Sequence, residues 1–218
     1  MQELSELDPT AVKDMIRSLS SARFAKFIDS CGGDEELALK TYLWNAQLSQ
    51  SLYIQIHFWE VCFRNKINAF LCWKYNKNWP KHSGALRNFK GHDRGKIEDA
   101  IRNLPSKSPS TDQIVAELTA GFWVSQISKS YQAQYAWRHN VHRIFPHNTF
   151  TDIKHAHTSA ERLLDLRNRI SHQEPIYSKD PEASHADLHQ FIAAMCGGTA
   201  HFSKACCNFQ KVFDAKLH

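Results

Sequence analysis

Residues 167 to 172 read RNRISH and place an arginine, an asparagine and a histidine within two helical turns. An imidazole can take the proton from a ribose 2′-hydroxyl or return one to a leaving 5′-oxygen, while a fixed guanidinium holds the phosphate and its developing charge. Such a reaction needs neither a metal nor an organic cofactor. Arg167 and His172 are therefore the candidate catalytic residues, and the amide of Asn168, one turn before the imidazole, is the candidate support. A plainer reading stands beside this one. Arg and His also suit the C-terminal end of a helix dipole, so the same residues can form a surface salt-bridge cluster.

The elements that must position these groups can be read from the flanks. AERLLDL upstream looks like the core-facing part of a helix, and Pro175 disfavours helical geometry at Glu174, so the helix should end near His172 or Gln173. On a regular helix, residues four apart share a face, which aligns Arg167 with Ser171 and Asn168 with His172. Arg167 and His172 are five apart and so differ by about 140° around the axis. They cannot stack along one face. Duplicated by a two-fold axis, such an edge brings two Arg and two His into one cleft.

The chain has 218 residues, 42% of them hydrophobic, enough for a sizeable core without staples. Eight Gly and seven Pro are few for this length, and long unbroken segments of helix-favouring residues argue for an all-α protein. The net charge of +5 and 13 histidines suit an RNA or DNA partner, but also enzymes of small anionic substrates. Six cysteines without a C-x-x-C pair read as buried small apolar residues of a reduced protein. MQELSELDPTAVKDM lacks a basic start followed by an apolar run, and no stretch of about 18 apolar residues occurs, so a cytoplasmic protein with no membrane partner is expected.

Helices are expected over DPTAVKDMIRSLS, with Asp8 as N-cap, and over SARFAKFIDSC. From Asp34 a segment of roughly forty residues runs without Gly or Pro, and Leu39, Leu43, Ala46, Ser49, Tyr53, Ile56, Glu60, Phe63 and Ile67 recur at helical steps as its buried face. Residues 74 to 110 carry nine Lys and Arg against three Asp and Glu, punctuated by Pro, Gly and Ser. This reads as a basic loop, a short helix over RGKIEDAIRNL and the linker PSKSPS, either a solvated connection or an RNA-contacting insertion in which Lys74, Lys77, Lys81 and Lys90 meet phosphate. A helix up to Ala120, a Gly121-Phe122-Trp123 junction and aromatic-rich turns follow, with Phe122, Ile127 and Tyr131 as core. The helix carrying the candidate site begins at Thr149 or Phe150, with an apolar face of Phe150, Ile153, Ala156, Ala160, Leu163, Leu164 and Ile170. Residues 182–196 and 199–215 form two last helices parted by Gly197-Gly198. No internal repeat is evident, and residues 1–218 are expected to form one domain around long antiparallel helices, with the basic insertion at about 74–110 and the last helices at about 182–215.

Arg64 lies mid-helix with Glu60 four residues earlier, spaced for a structural ion pair. Alternatively Arg64 and Asn65 line the same cleft as Arg167 and His172 and bind phosphate, and Arg169 is a further candidate for that task. His155 and His157 are two apart, point to different helix faces and have no cysteine pair to join them, so no metal site is expected. G-x-x-x-x-G-K, G-x-G-x-x-G and G-x-S-x-G are all missing from the sequence.

RNRISH resembles the R-x4-6-H signature of the HEPN superfamily of helical ribonucleases, in which a polar residue, often Asn, follows the Arg. The wider run LLDLRNRISHQEPIY is similar to one carried by the Abi-like (abortive-infection) proteins of bacteria. FWEVCFRNKINAFL at 58–71 resembles that family's acid followed by Arg-Asn, which places Glu60, Arg64 and Asn65 on the matching positions. ELTAGFWVSQISKSYQAQYAWRHNVHRIFP at 117–146 resembles its Phe-Trp segment ending in Phe-Pro. The resemblance covers about residues 40 to 177. It implies a HEPN-like helical bundle, a homodimer, and a metal-independent endoribonuclease site built by Arg167 and His172 of two subunits. It also implies a role as a toxin or phage-defence effector, held in check by an antitoxin protein or a small RNA. The other outcome within the same resemblance is a module that binds RNA or a partner without catalysis. Two positions depart from the family: Ala120 precedes Gly121 in the ELTFGFW-like run, and Glu174 stands where some HEPN toxins carry a modifiable Tyr, with Tyr177 too far along to replace it.

Overall fold

The computed structural model describes residues 8–147, 150 and 152–215. Among them the regular structure is helical throughout, with no strand. The all-α expectation holds. The helices are α1 (Pro9–Ser18), α2 (Ser21–Ser30), α3 (Glu35–Lys74), α4 (Ser83–Leu86), α5 (Gly91–Asn103), α6 (Thr111–Glu117), α7 (Ala120–Gln126), α8 (Trp137–Asn140), α9 (Ile153–Ser171), α10 (Pro181–Met195), α11 (Gly197–Ala205) and α12 (Phe209–Asp214).

The organising element is α3, whose 40 residues extend about 60 Å at 1.5 Å per residue. The Asp34 carboxylate caps it by accepting from Leu37 N at 2.9 Å, and Glu35, Glu36 and Lys74 sit at the ends that the helix dipole favours. α9 crosses it in the opposite sense: Arg167 meets Glu60, whereas Tyr177, ten residues further on, meets Trp44, sixteen residues earlier. Above both, Phe191 of α10 inserts among Trp59, Phe63, Phe145 and Phe150 at ring-centroid distances of 5.1–6.1 Å. Truncating such a residue costs about 3–5 kcal/mol. A smaller cluster of Val12, Ile16, Phe24, Phe27, Ala38 and Leu39 holds α1 and α2 on the start of α3.

Several expectations need correction. The buried stripe of α3 runs through Trp44, Leu48, Leu52 and Ile56 to Trp59, Phe63 and Ile67, while Ala46 is exposed and Tyr53 is 59% exposed. Apolar residues lie all round the first half of this helix, so its phase is set by what packs on it. The basic segment is not merely a loop. Trp79, Ala85, Phe89 and Ile97 within it belong to the main core, and buried Asp93 ties it down by accepting Ser125 Oγ at 2.6 Å and Tyr131 Oη at 2.9 Å. The junction after α6 falls at Leu118-Thr119 rather than at Gly121. Gly197 and Gly198 open α11 instead of separating two helices, and the break before α12 comes at 206–208. α9 starts at Ile153 with Asp152 as its N-cap; Thr149 lies outside the described residues. The six cysteines are free thiols, Cys206 exposed and the others half-buried, so they edge the core rather than fill it.

Candidate functional site

Three devices hold the end of α9. Its C-terminal turn closes as a Schellman motif: Glu174 N donates to Arg169 O at 2.8 Å and Gln173 N to Ile170 O at 3.1 Å, with Gln173 in the left-handed region at φ 53°. The chain beyond is anchored to α3 by Asn45, a polar residue only 4% exposed. Its Oδ1 accepts from Ile176 N at 2.7 Å and Tyr177 N at 3.2 Å, and its Nδ2 donates to Glu174 O at 3.5 Å. Tyr177 completes the anchoring by packing on Phe27 and Trp44 and donating to Ser30 Oγ at 2.8 Å. The polar run after RNRISH thus locks the helix end to the bundle. Sequence reasoning passed over Asn45, and the available signal was a polar residue among apolar neighbours in a long helix.

Between α3 and α9 lies a cleft of about 370 Å³ lined by His57, Glu60, Arg64, Arg167 and Ser171, with Tyr53 at its rim. The Glu60 carboxylate faces Arg167, whose Nε donates to it at 3.2 Å, and both side chains are about one-third exposed. Arg167 Nη1 reaches Asn168 Oδ1 at 3.5 Å. Nη2 makes no hydrogen bond among the described residues, so the guanidinium is oriented by α3 with donors to spare. Arg64 lines the same cleft, and its Nε is buried without a hydrogen-bond partner. A buried, unpaired donor of a charged group is costly, and an anion entering the cleft would repay that cost.

This arrangement changes the expected ion pair. Glu60 binds Arg167 rather than Arg64, because α9 brings the Arg167 guanidinium against the carboxylate at 3.2 Å. Asn65 is one step round α3 from Arg64 and leaves the cleft, lining instead a neighbouring cavity of about 580 Å³ with Cys62, Lys66, Cys196 and Phe202. His172 is the C-cap of α9 and exposed, and it does not line the Arg64/Arg167 cleft of its own chain. Asn168 supports Arg167, not the imidazole. The separation expected from helical geometry is therefore present within one chain.

Arg169 is occupied: it pairs with Asp165 at 2.8 Å and Glu174 at 3.1 Å, and the Asp165 hydrogen bond raises its pKa further. Lys74, Lys77 and Lys90 have exposed positions, whereas Lys81 Nζ donates to Pro109 O at 3.0 Å. Beside the second cavity, Cys196 is the residue immediately before α11 and its thiol pKa is lowered, chiefly by hydrogen bonding to Thr199; burial raises that of Cys62. No cluster of three or more His, Cys, Asp or Glu suited to a metal ion occurs among the described residues. Within them, no helix is long and apolar enough to cross a membrane. Compared with models of known protein families, with curated proteins and with solved structures, the chain matches none.

Proposed function

We propose that this protein is an endoribonuclease of the HEPN, Abi-like kind, acting as a homodimer in which Arg167 of one copy and His172 of the other serve one phosphodiester. The observation that carries this reading is the pair of guanidiniums, Arg64 from α3 and Arg167 from α9, converging on one open cleft with a buried N–H unpaired. A phosphodiester is the anion that such a cleft suits, since planar donors on two elements can grip its non-bridging oxygens. The α9 side of the cleft offers no imidazole, the one in its lining being His57 of α3, and the exposed imidazole of His172 at the helix end is available to a second copy. His172 would remove the 2′-proton, the 2′-oxygen would bond to phosphorus, and the 5′-oxygen would leave with a proton, giving a 2′,3′-cyclic phosphate and a 5′-hydroxyl. Arg167 and Arg64 would hold the charge on the phosphoryl oxygens, with Glu60 and Asn168 orienting Arg167. This chemistry needs no cofactor. An antitoxin protein or small RNA that covers the cleft is the matching form of control.

The exposed position of His172, outside its own chain's cleft, supports a second reading: an RNA-binding or partner-binding module that grips phosphate without turnover. Incubating RNA with wild type, Arg167→Ala and His172→Ala in the presence of chelator separates the two. Cleavage to cyclic-phosphate ends by wild type, lost by at least a hundredfold in both variants, is expected. Equal cleavage by all three, or cleavage only with added metal, overturns the ribonuclease reading. Mixing inactive Arg167→Ala with inactive His172→Ala should restore part of the activity, because one of the two sites in a mixed dimer is then intact.

A further inference from the structure

Charge is segregated along this chain. No Asp or Glu occurs in residues 61–92 or 118–151, and these 66 positions hold ten of the 27 Lys and Arg. The remaining residues contain 17 Lys and Arg against all 22 acids, so a weakly basic protein conceals a strongly basic part.

The fold brings the two acid-free stretches together around the C-terminal end of α3. Phe70 packs on Trp137 at 4.4 Å and on Tyr135 at 5.3 Å, and Gln134 Nε2 donates to Tyr75 Oη at 2.9 Å. These contacts seat α8 and the turn before it beside the last turns of α3. At the surface of this junction Trp73 is 52% exposed, and the Arg143 guanidinium lies 3.7 Å from the centroid of its ring. Lys74, Lys77, Arg138 and His142 are exposed on the same two segments. None of Lys74, Lys77, Arg138 and Arg143 forms an ion pair among the described residues, although exposed Asp112 and Lys77 both act on the Cys72 thiol. Asp93 is buried and engaged by Ser125 and Tyr131, and Asp112 acts on Cys72, one residue before Trp73 and about 100° away around the helix.

An exposed indole carrying a guanidinium, with no acid in its own segments, is a stacking platform already assembled. Bases stack on aromatic and guanidinium planes, and the surrounding cations meet the backbone, a combination suited to flexible single strands rather than to duplexes. We infer that this surface binds single-stranded RNA, with a base stacked at the Trp73–Arg143 platform and phosphates met by Arg143, Arg138, Lys74 and Lys77. Trp73 lies 13 residues along α3 from Glu60, about 20 Å, and about 140° away around the helix axis, so the platform is a separate contact from the Arg64/Arg167 cleft and a strand joining them has to wrap part of the way round α3. The choice of RNA rests on the proposed function; the existence of the surface does not rest on cleavage.

The test is fluorescence anisotropy with a labelled 12-nucleotide oligo-U, compared with single-stranded DNA of matching length and with an RNA duplex, in His172→Ala protein so that turnover does not interfere. Adding Trp73→Ala or Arg143→Met should each weaken oligo-U binding about fivefold to a hundredfold, while Trp73→Phe keeps most of it. Arg143→Met should also lower the steepness of the salt dependence by about 0.7 in log–log slope, the value of one single-strand phosphate contact. Undiminished binding by both Trp73→Ala and Arg143→Met, with thermal melts like the parent's, overturns the inference. Tighter binding of duplex overturns the single-strand assignment, and equal or tighter binding of DNA overturns the RNA assignment. Platform-dependent binding by a protein that never cleaves RNA would support this surface while removing the ribonuclease reading. Cleavage by an otherwise wild-type chain that Trp73→Ala leaves unchanged in KM would do the reverse.

Discussion

The anchoring of the α9 end makes Asn45→Ala the most informative single change. In the native protein, Asn45 Oδ1 accepts from the N–H of fully buried Ile176 at 2.7 Å and of half-buried Tyr177 at 3.2 Å. Alanine leaves both donors facing a dry gap that α3 had filled. An unsatisfied buried N–H costs about 1–3 kcal/mol; the Tyr177 donor should fall at the low end and the long Nδ2 bond adds little, so a total of about 2–4 kcal/mol is expected. With a urea slope of about 2–3 kcal/mol per M for a chain of this size, the midpoint should fall by about 1 M in an unfolding titration followed by circular dichroism. Asn45→Asp keeps the acceptor for Ile176 N but sets a second carboxylate oxygen against Glu174 O in a buried site, so it too should destabilise. A midpoint shift below about 0.2 M for alanine would show that orphaned backbone donors are not what Asn45 prevents. Under the proposed ribonuclease function, the alanine change should also lower RNA cleavage beyond any loss of folded protein, since it frees the segment that fixes the His172 end of α9.

Other expectations follow from the same geometry. Gln173 holds φ 53° at a helix C′ position, so Gln173→Gly should stabilise by about 0.5 kcal/mol and Gln173→Val should destabilise by about 1–2 kcal/mol, read from the same urea midpoints. Arg64→Met keeps the hydrocarbon stem but removes the unpaired buried Nε; it should raise stability by about 1 kcal/mol while weakening oligo-U binding, and a variant that is less stable and binds as well as wild type would contradict the role given to Arg64. The thiol of Cys196 has its pKa lowered from 9.0, mainly by Thr199, and burial raises that of Cys62. Alkylation by iodoacetamide should therefore rise with pH through a midpoint below 9.0 at Cys196 and above it at Cys62, as mass spectrometry of the modified peptides can follow. Thr199→Val should move the Cys196 midpoint upward.

Composition and periodicity were enough to read a helical protein here, because helix formation depends on local features: a run without Gly or Pro opening at Asp34, and Pro175 as a stop. The same local logic placed Arg167 and His172 on different faces of α9 and ended the helix at His172. It could not reveal which residues of a helix apolar all round face inward, and the stripe assigned to α3 therefore slipped at Ala46 and Tyr53. Nor could spacing show that Glu60 turns from Arg64, its neighbour in sequence, to Arg167, 107 residues away. That choice depends on how closely α9 settles on α3, a matter of side-chain volume summed over the whole core. Asn45 and Asp93 make the point from the polar side: each looks like an ordinary residue within a helix, and only the packed structure shows the backbone donors or hydroxyls that it satisfies. The position of RNRISH at a helix end, with Arg167 and His172 apart, was thus legible in the sequence. The cleft, the orphaned Arg64 and the Trp73–Arg143 platform exist only because tertiary packing brings distant segments of the chain together.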